Sequence, residues 1–232
     1  MMDLIKLFSI SQGMSAIKRY SQLHLVKEES VMEHTGFVCL FTYLVCEEIN
    51  SKTYFDSEKM NIGLALQKAV VHDMDEVVTG DIPRPTKYHS KSTIEVFDSI
   101  SEKGINQIIR DLEIKTENIK HNWKNAKEQN EGFIVALADL SSVVYKLWDE
   151  TVLLGNKKLL MQASDVHNYI RSFKQKVDNN NDLFANQKLV IYEIIEQLYY
   201  IIKEIMKLNN PLLGTIESLR SKNGKIQATN GR

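Results

Sequence analysis

The chain has 232 residues, 43% of them hydrophobic and 25% charged, a balance that excludes a disordered or fibrous chain and favours one domain with its own core. Its formal net charge is -1, and no stretch gathers the Lys and Arg that would neutralise a polymer's phosphates; this excludes a nucleic acid polymer as partner but not a small nucleotide. No basic segment leads into an apolar run at the start, and no stretch reaches about 18 uninterrupted apolar residues, so neither export nor a membrane span is expected and the expected location is cytoplasmic.

Three prolines and ten glycines interrupt the chain, and apolar residues recur at three- and four-residue spacing, so an all-α fold is expected, with no need of strands. The segment 30–50 opens on Ser30-Val-Met-Glu33, a capping-box pattern that starts a helix and puts His34 in its first turn. Cys39 and Cys46 lie on that helix about two turns, or roughly 10 Å, apart; this is too far for a disulfide, so both are expected to be buried thiols in a reducing compartment. A second helix is expected over 57–78, central because Ile62, Leu64, Leu66, Ala69, Val70, Val77 and Val78 give it apolar surface on several sides.

That helix must stop at 79–85, where Gly80 suits a left-handed cap and Pro83 and Pro85 cannot continue the ladder; a rigid loop is expected there. Further helices are expected at about 91–112, 115–128, 131–154, 157–177 and 183–208, with an Asn-rich loop at 178–182. One domain over 1–208 is followed by a polar tail, 209–232, which reads as disordered. The pairs Tyr199-Tyr200 and Ile-Ile in the last helix are candidates for a homodimer face or for packing on the core, and packing is the preferred reading.

Chemistry concentrates in His72-Asp73-Met74-Asp75-Glu76, where 72 and 76 are expected to share one helical face and 73 to project from the neighbouring one, which groups an imidazole and carboxylates near a helix end. Burying such a group costs several kcal/mol unless it is paired or bound to metal. Two more candidate ligands stand in apolar helical surroundings: His34 beside Val31, Phe37 and Val38, and Asp139 within Phe-Ile-Val-Ala-Leu-Ala-Asp-Leu. Two nitrogens and two oxygens suit one divalent ion of Mn, Fe, Co or Zn better than Mg or Ca. A lone helical histidine is more often a satisfied core residue than a ligand, so spacing alone suggests the centre without proving it.

His34 in Val-Met-Glu-His, the pair His72-Asp73, the run Glu76-Val-Val-Thr-Gly-Asp81-Ile-Pro-Arg-Pro-Thr-Lys-Tyr88 and Ala-Asp139 together resemble the HD-domain 5'-deoxynucleotidases of the YfbR-like group, over about residues 10–155. The resemblance implies a single HD-domain helical bundle, with 157–208 as additional C-terminal helices. It implies one divalent metal held by His34, His72, Asp73 and Asp139, and a catalytic set of Arg19, which orients the phosphate, with Glu76 and Asp81 acting around the attacking water. Arg19, Tyr20, His34, Asp73, Asp81, Ile82, Pro83, Arg84 and Lys87 would bind the substrate.

Residue types agree with that chemistry. A cation lowers the pKa of water and neutralises charge on the phosphoryl group, Arg19 offers a planar fork suited to phosphate, and Glu76 is placed to exchange protons. The implied reaction is hydrolysis of (deoxy)nucleoside 5'-monophosphates to nucleoside and phosphate. Two departures bear on substrate. Tyr20 stands where the family's best-known members have a tryptophan against the sugar, which puts deoxy selectivity in question; Arg84 adds charge where a small polar residue is usual. Arg84, and Lys87 unless it is simply solvated, keep open a deoxynucleoside triphosphate triphosphohydrolase releasing tripolyphosphate. A third reading, an inert metal-stabilised interaction module, would not need Arg19, Glu76 and Asp81 beside the ligands.

Overall fold

The computed structural model describes residues 3–115 and 117–209, and among these no β-strand forms beyond an isolated antiparallel bridge between Lys18 and Ser30. Asp3 opens α1 (Leu4–Ala16) by accepting the Ile5 and Lys6 N–H groups. The expected capping box starts α2 (Val31–Ser51): Ser30 Oγ accepts the Glu33 N–H at 3.2 Å, and the Glu33 carboxylate accepts the Ser30 N–H at 2.7 Å.

The helix expected over 57–78 is two. Asn61 caps α3 (Ile62–Val71) through the Leu64 N–H, the chain turns through 72–75, and a short α4 (Glu76–Thr79) follows. The break has a local cause: His72 Nδ1 lies 2.7 Å from the Ala69 carbonyl, and the Met74 and Glu76 N–H groups bond three residues back, to Val71 and Asp73, instead of four. Residues 72 and 76 therefore do not share one continuous helical face. Gly80, at φ 71°, closes α4 as expected, its N–H bonding the Glu76 carbonyl at 2.7 Å. The loop expected at 79–85 is partly helical, because Pro83 starts α5 (Arg84–Lys87) with Pro85 in its first turn.

Four long helices and one short one complete the chain: α6 (Lys91–Asp111), α7 (Asn118–Lys124), α8 (Gln129–Trp148), α9 (Gln162–Asp178) and α10 (Ala185–Asn209). The helix expected at 131–154 is α8 followed by a π-helical turn, Asp149–Leu153; α9 starts late because Lys157–Leu159 is a 3-10 turn. From residue 210 on, the expected polar tail lies outside the described residues. No helix among the described residues is long and apolar enough to cross a membrane.

The main core joins α2, α3, α8, α9 and α10 through fully buried Cys46, Ile49, Ala65, Ile134, Ile170, Ile191, Ile195 and Ile202. The C-terminal helices therefore share that core, with Tyr199 packed against it and Tyr200 left exposed. Cys46 is buried but Cys39 only half so, and both are free thiols. A smaller cluster of Val38, Ala69, Val135 and Ala138 lies where α2, α3 and α8 meet. Val38, Ala69 and Val135 lie about one turn from His34, His72 and Asp139, and Ala138 directly precedes Asp139, which lets three backbones close up beneath the three side chains. A third cluster, Ile105, Ile108 and Leu112 with Leu7, Ile10, Met74 and Val77, holds α4 against α1 and α6. The approach is close: a Cβ on Gly13 would stand 3.1 Å from Val77, and one on Gly104 would stand 3.1 Å from Val78.

Candidate metal centre

Each of the four side chains singled out as ligands reaches one point. His34 Nε2 lies 3.1 Å from His72 Nε2, 3.2 Å from Asp73 Oδ2 and 3.3 Å from Asp139 Oδ1, and His72 Nε2 lies 3.1 Å from Asp73 Oδ2. His34, His72 and Asp139 have ligand atoms within 4.8 Å of one another, a group that can hold a metal ion. Both imidazoles are oriented from behind. His72 Nδ1 donates to the Ala69 carbonyl, and His34 Nδ1 lies 3.0 Å from Ser142 Oγ, which itself donates to the Asp139 carbonyl at 2.8 Å. With both Nδ1 atoms used as donors, both Nε2 atoms turn lone pairs toward one point bordered by two carboxylate oxygens. A divalent cation satisfies that arrangement, and the N2O2 set fits a transition ion.

Electrostatics agree. Burial alone would raise the Asp139 carboxyl, but the Lys127 ammonium and His34 outweigh it and hold it well below the usual carboxylate range. Burial opposes ionisation of Asp73 in the same way, and His72 and His34 overcome it. Glu76 differs: burial, reinforced by the Asp73 and Asp81 charges, pushes its carboxyl up to about 9. Glu76 Oε2 is buried and has no hydrogen-bond partner among the described residues, so this carboxyl has an unused polar atom in a site of like charges.

Arg19 and Tyr20 come from the irregular segment between α1 and α2. The bridge between Lys18 and Ser30 fixes its base, with the Arg19 N–H on the Glu29 carbonyl at 2.8 Å. Arg19 is buried, donates to Glu29 Oε1 at 2.7 Å and stacks 4.7 Å above the Tyr20 ring centroid. Tyr20 holds a left-handed φ of 58°, a costly conformation, and its N–H donates to Asp81 Oδ2 at 2.8 Å. Asp81, expected beside the attacking water, thus also ties Tyr20 to the loop after α4.

Farther along, the same segment is pinned by Glu150 in the π-turn. This fully buried carboxylate accepts the Val26 and Lys27 N–H groups at 2.8 and 2.9 Å, Asn156 Nδ2 at 2.8 Å and Lys146 Nζ at 3.0 Å. Burial alone would raise Glu150, but its donors bring it down to about 2.

Ile82, Pro83 and Lys87 are partly exposed, and the guanidinium of Arg84 stacks between two rings, 5.0 Å from Tyr88 and 4.7 Å from Tyr169 of α9. A cavity of about 180 Å³ lined by Lys27, Glu29, His34, Phe37, Ser142 and Lys146 reaches His34 on its Ser142 side. Neither His72, Asp73, Glu76 nor Asp81 lines it, so it is separate from the point where the Nε2 atoms meet.

Sequence reasoning missed Lys127, Glu29, Ser142 and Glu150. Lys127 ion-pairs with Asp139 Oδ2 from the loop before α8. It stands in the polar run Asn-Ala-Lys-Glu-Gln-Asn, where nothing distinguishes it from a solvated lysine. Lys146 and Glu150, four apart, did carry a signal, as a helical ion-pair spacing next to an apolar helix.

Residues 6–189 match the family described as 5'-deoxynucleotidase YfbR-like. A 5'-deoxynucleotidase of Yersinia pseudotuberculosis serotype I (strain IP32953) is 24% identical over 166 residues, 69% of this chain and 81% of its own. Among solved structures, an HD-domain phosphohydrolase from Listeria innocua superposes with a TM-score of 0.66 at 22% identity, covering 94% of this chain and 99% of its own. The HD phosphohydrolase of cyanophage S-2L, bound to dA and one catalytic Zn2+ ion, superposes with a TM-score of 0.52 at 17% identity, covering 84% of this chain and 95% of its own.

Proposed function

Because the chain belongs to the YfbR-like 5'-deoxynucleotidase family of HD-domain phosphohydrolases, we propose that it hydrolyses (deoxy)nucleoside 5'-monophosphates to nucleoside and phosphate, with His34, His72, Asp73 and Asp139 holding one divalent cation. The observation that carries this reading is the pair of Nε2 atoms 3.1 Å apart, each ring oriented by an Nδ1 bond and both facing carboxylate oxygens. When bound, the cation supplies the Lewis acidity that activates water and neutralises charge on the phosphoryl group.

The remaining roles fall to the chain's own side chains. Arg19 presents its guanidinium to the phosphate, pre-oriented by Glu29 and the Tyr20 ring, so little rotamer entropy is lost on binding. Glu76, buried and with an oxygen that no described residue bonds, is placed to exchange a proton with the leaving nucleoside oxygen. Asp81 Oδ2 sets the Tyr20 backbone, and with it the aromatic wall of the sugar pocket. A monophosphate is favoured over a triphosphate because Arg84, the side chain that would serve extra phosphates, is stacked between Tyr88 and Tyr169. The zinc and dA in the cyanophage relative support a transition metal and a nucleoside-sized pocket.

The test is product analysis. Incubation of the protein with Mn2+ or Co2+ and a panel of ribo- and deoxynucleoside mono- and triphosphates is expected to release orthophosphate from monophosphates. Tripolyphosphate from triphosphates alone would establish the other reaction, and no phosphate from any nucleotide would leave the inert module.

A further inference from the structure

Beside the metal-binding group stands a cation that none of the roles above uses. Lys127 donates to Asp139 Oδ2, while Asp139 Oδ1 is the oxygen that faces His34 Nε2 at 3.3 Å. The carboxylate thus divides its two oxygens between the lysine and the metal position. Lys127 is also far from sealed in, because its side chain is 43% exposed against 20% for Asp139. An ammonium has three N–H donors, and Asp139 is the only hydrogen-bond partner of this one among the described residues.

The backbone around Lys127 is built with unusual care. Lys68 of α3 is 1% exposed, and its ammonium is spent on this loop, donating to the Glu128 carbonyl at 2.7 Å and Gln129 Oε1 at 3.3 Å. Gln129 holds a left-handed φ of 63°. Gly132 admits the loop so closely that a Cβ there would stand 2.8 Å from the Lys127 carbonyl carbon. A buried amine, a strained residue and a backbone-on-glycine contact all fix the loop from which Lys127 reaches Asp139. Strain held in this way by its surroundings accompanies functional positions.

A charge count indicates what the lysine is for. Asp73 and Asp139 balance a divalent cation, Glu29 balances Arg19, and Asp81 adds a further carboxylate, so without Lys127 these groups would present a net negative charge to an arriving phosphate. Lys127 offsets it. We propose that Lys127 is a substrate-binding residue of this site, its free N–H groups taking oxygens of the phosphate that the metal and Arg19 receive. The assignment rests on the phosphohydrolase reading, but it concerns binding of the phosphate group, which needs no turnover.

Mn2+-loaded wild-type protein and the variants Lys127→Ala, Lys127→Gln and Lys127→Arg are titrated calorimetrically with inorganic phosphate and, separately, with a deoxynucleoside lacking phosphate, after metal content is measured. The loss of a charge-assisted bond is expected to weaken phosphate binding at least roughly tenfold in K127A and K127Q, with K127R restoring most of it. Metal content and deoxynucleoside affinity are expected to stay unchanged. K127Q retains a hydrogen-bonding terminus for Asp139, so a folding defect confined to K127A is separated from loss of charge. Phosphate affinity within about twofold of wild type in K127Q at saturating Mn2+ overturns the proposal, as does a wild-type protein that binds no phosphate. If phosphate binds through Lys127 but no nucleotide is hydrolysed, the nucleotidase reading fails and the assignment of Lys127 stands.

Discussion

Replacing Glu150 by Gln removes one charge from a group that the structure has committed fully. The carboxylate is 0% exposed and receives donors from Val26, Lys27, Lys146 and Asn156. Its pKa falls from the ordinary 4.5 to about 2 in the folded protein. At about 1.4 kcal/mol per tenfold in proton affinity, that fall corresponds to about 3 kcal/mol of stability. Because the folded pKa is the depressed one, the contribution is complete above about pH 4.5 and declines as the pH drops towards 2. About 1 kcal/mol of it should remain at pH 3.

The E150Q amide retains one acceptor oxygen but turns an NH2 group toward donors, leaving Lys146 without its carboxylate. Urea unfolding of metal-free protein is expected to show E150Q less stable than wild type by about 3 kcal/mol at pH 7, with the gap narrowing to about 1 kcal/mol at pH 3. Since the same donors tether the segment that carries Arg19, KM for the nucleotide should also rise. A gap under about 1 kcal/mol at pH 7, or one unchanged between pH 7 and pH 3, would refute the assignment of Glu150 as the anchor of that segment.

Two other outcomes test the centre itself. His72→Ala and Asp73→Ala are expected to abolish both metal binding, read by metal content, and hydrolysis, whereas Glu76→Ala should keep the metal and lose roughly 100-fold or more in kcat. Removing metal with a chelator should lower Tm, and excess Mn2+ should restore it, the stabilisation free energy being about 2.7 kcal/mol at a concentration 100 times Kd; a Tm indifferent to both would mean that no cation is bound.

The four proposed ligands were legible because each had a local signature. His34 follows a capping box, His72 and Asp73 are adjacent at a helix end, and Asp139 is a carboxylate in an apolar helix. What converges there in space was less legible, since it depends on Val38, Ala69, Val135 and Ala138 letting three helices approach, and such residues are ordinary core residues in sequence. The break between α3 and α4 was hidden by continuous apolar spacing across Val70, Val71, Val77 and Val78; periodicity registers which residues are buried, not whether the hydrogen-bond ladder between them is intact. Arg84 is the converse case. Its charge was legible, but its engagement depends on Tyr169, 85 positions away on a helix with no motif of its own.

The distribution of backbone strain follows the same division. His34 and Asp139 stand on helices, where the ladder fixes a side chain without special devices. Arg19 and Lys127 stand on irregular segments that have no ladder, and a cation that must meet a phosphate within a fraction of an ångström needs another source of rigidity. That source is visible beside each: Tyr20, at φ 58°, is bonded to Asp81 next to Arg19, and Gln129, at φ 63°, is bonded to Lys68 two residues after Lys127. Two of the three non-glycine residues with positive φ among the described residues thus adjoin the two cations nearest the metal-binding group. Strain of about 1–3 kcal/mol at each would be selected against unless position mattered there, which is why the loop before α8 belongs to the site as much as the helix that follows it.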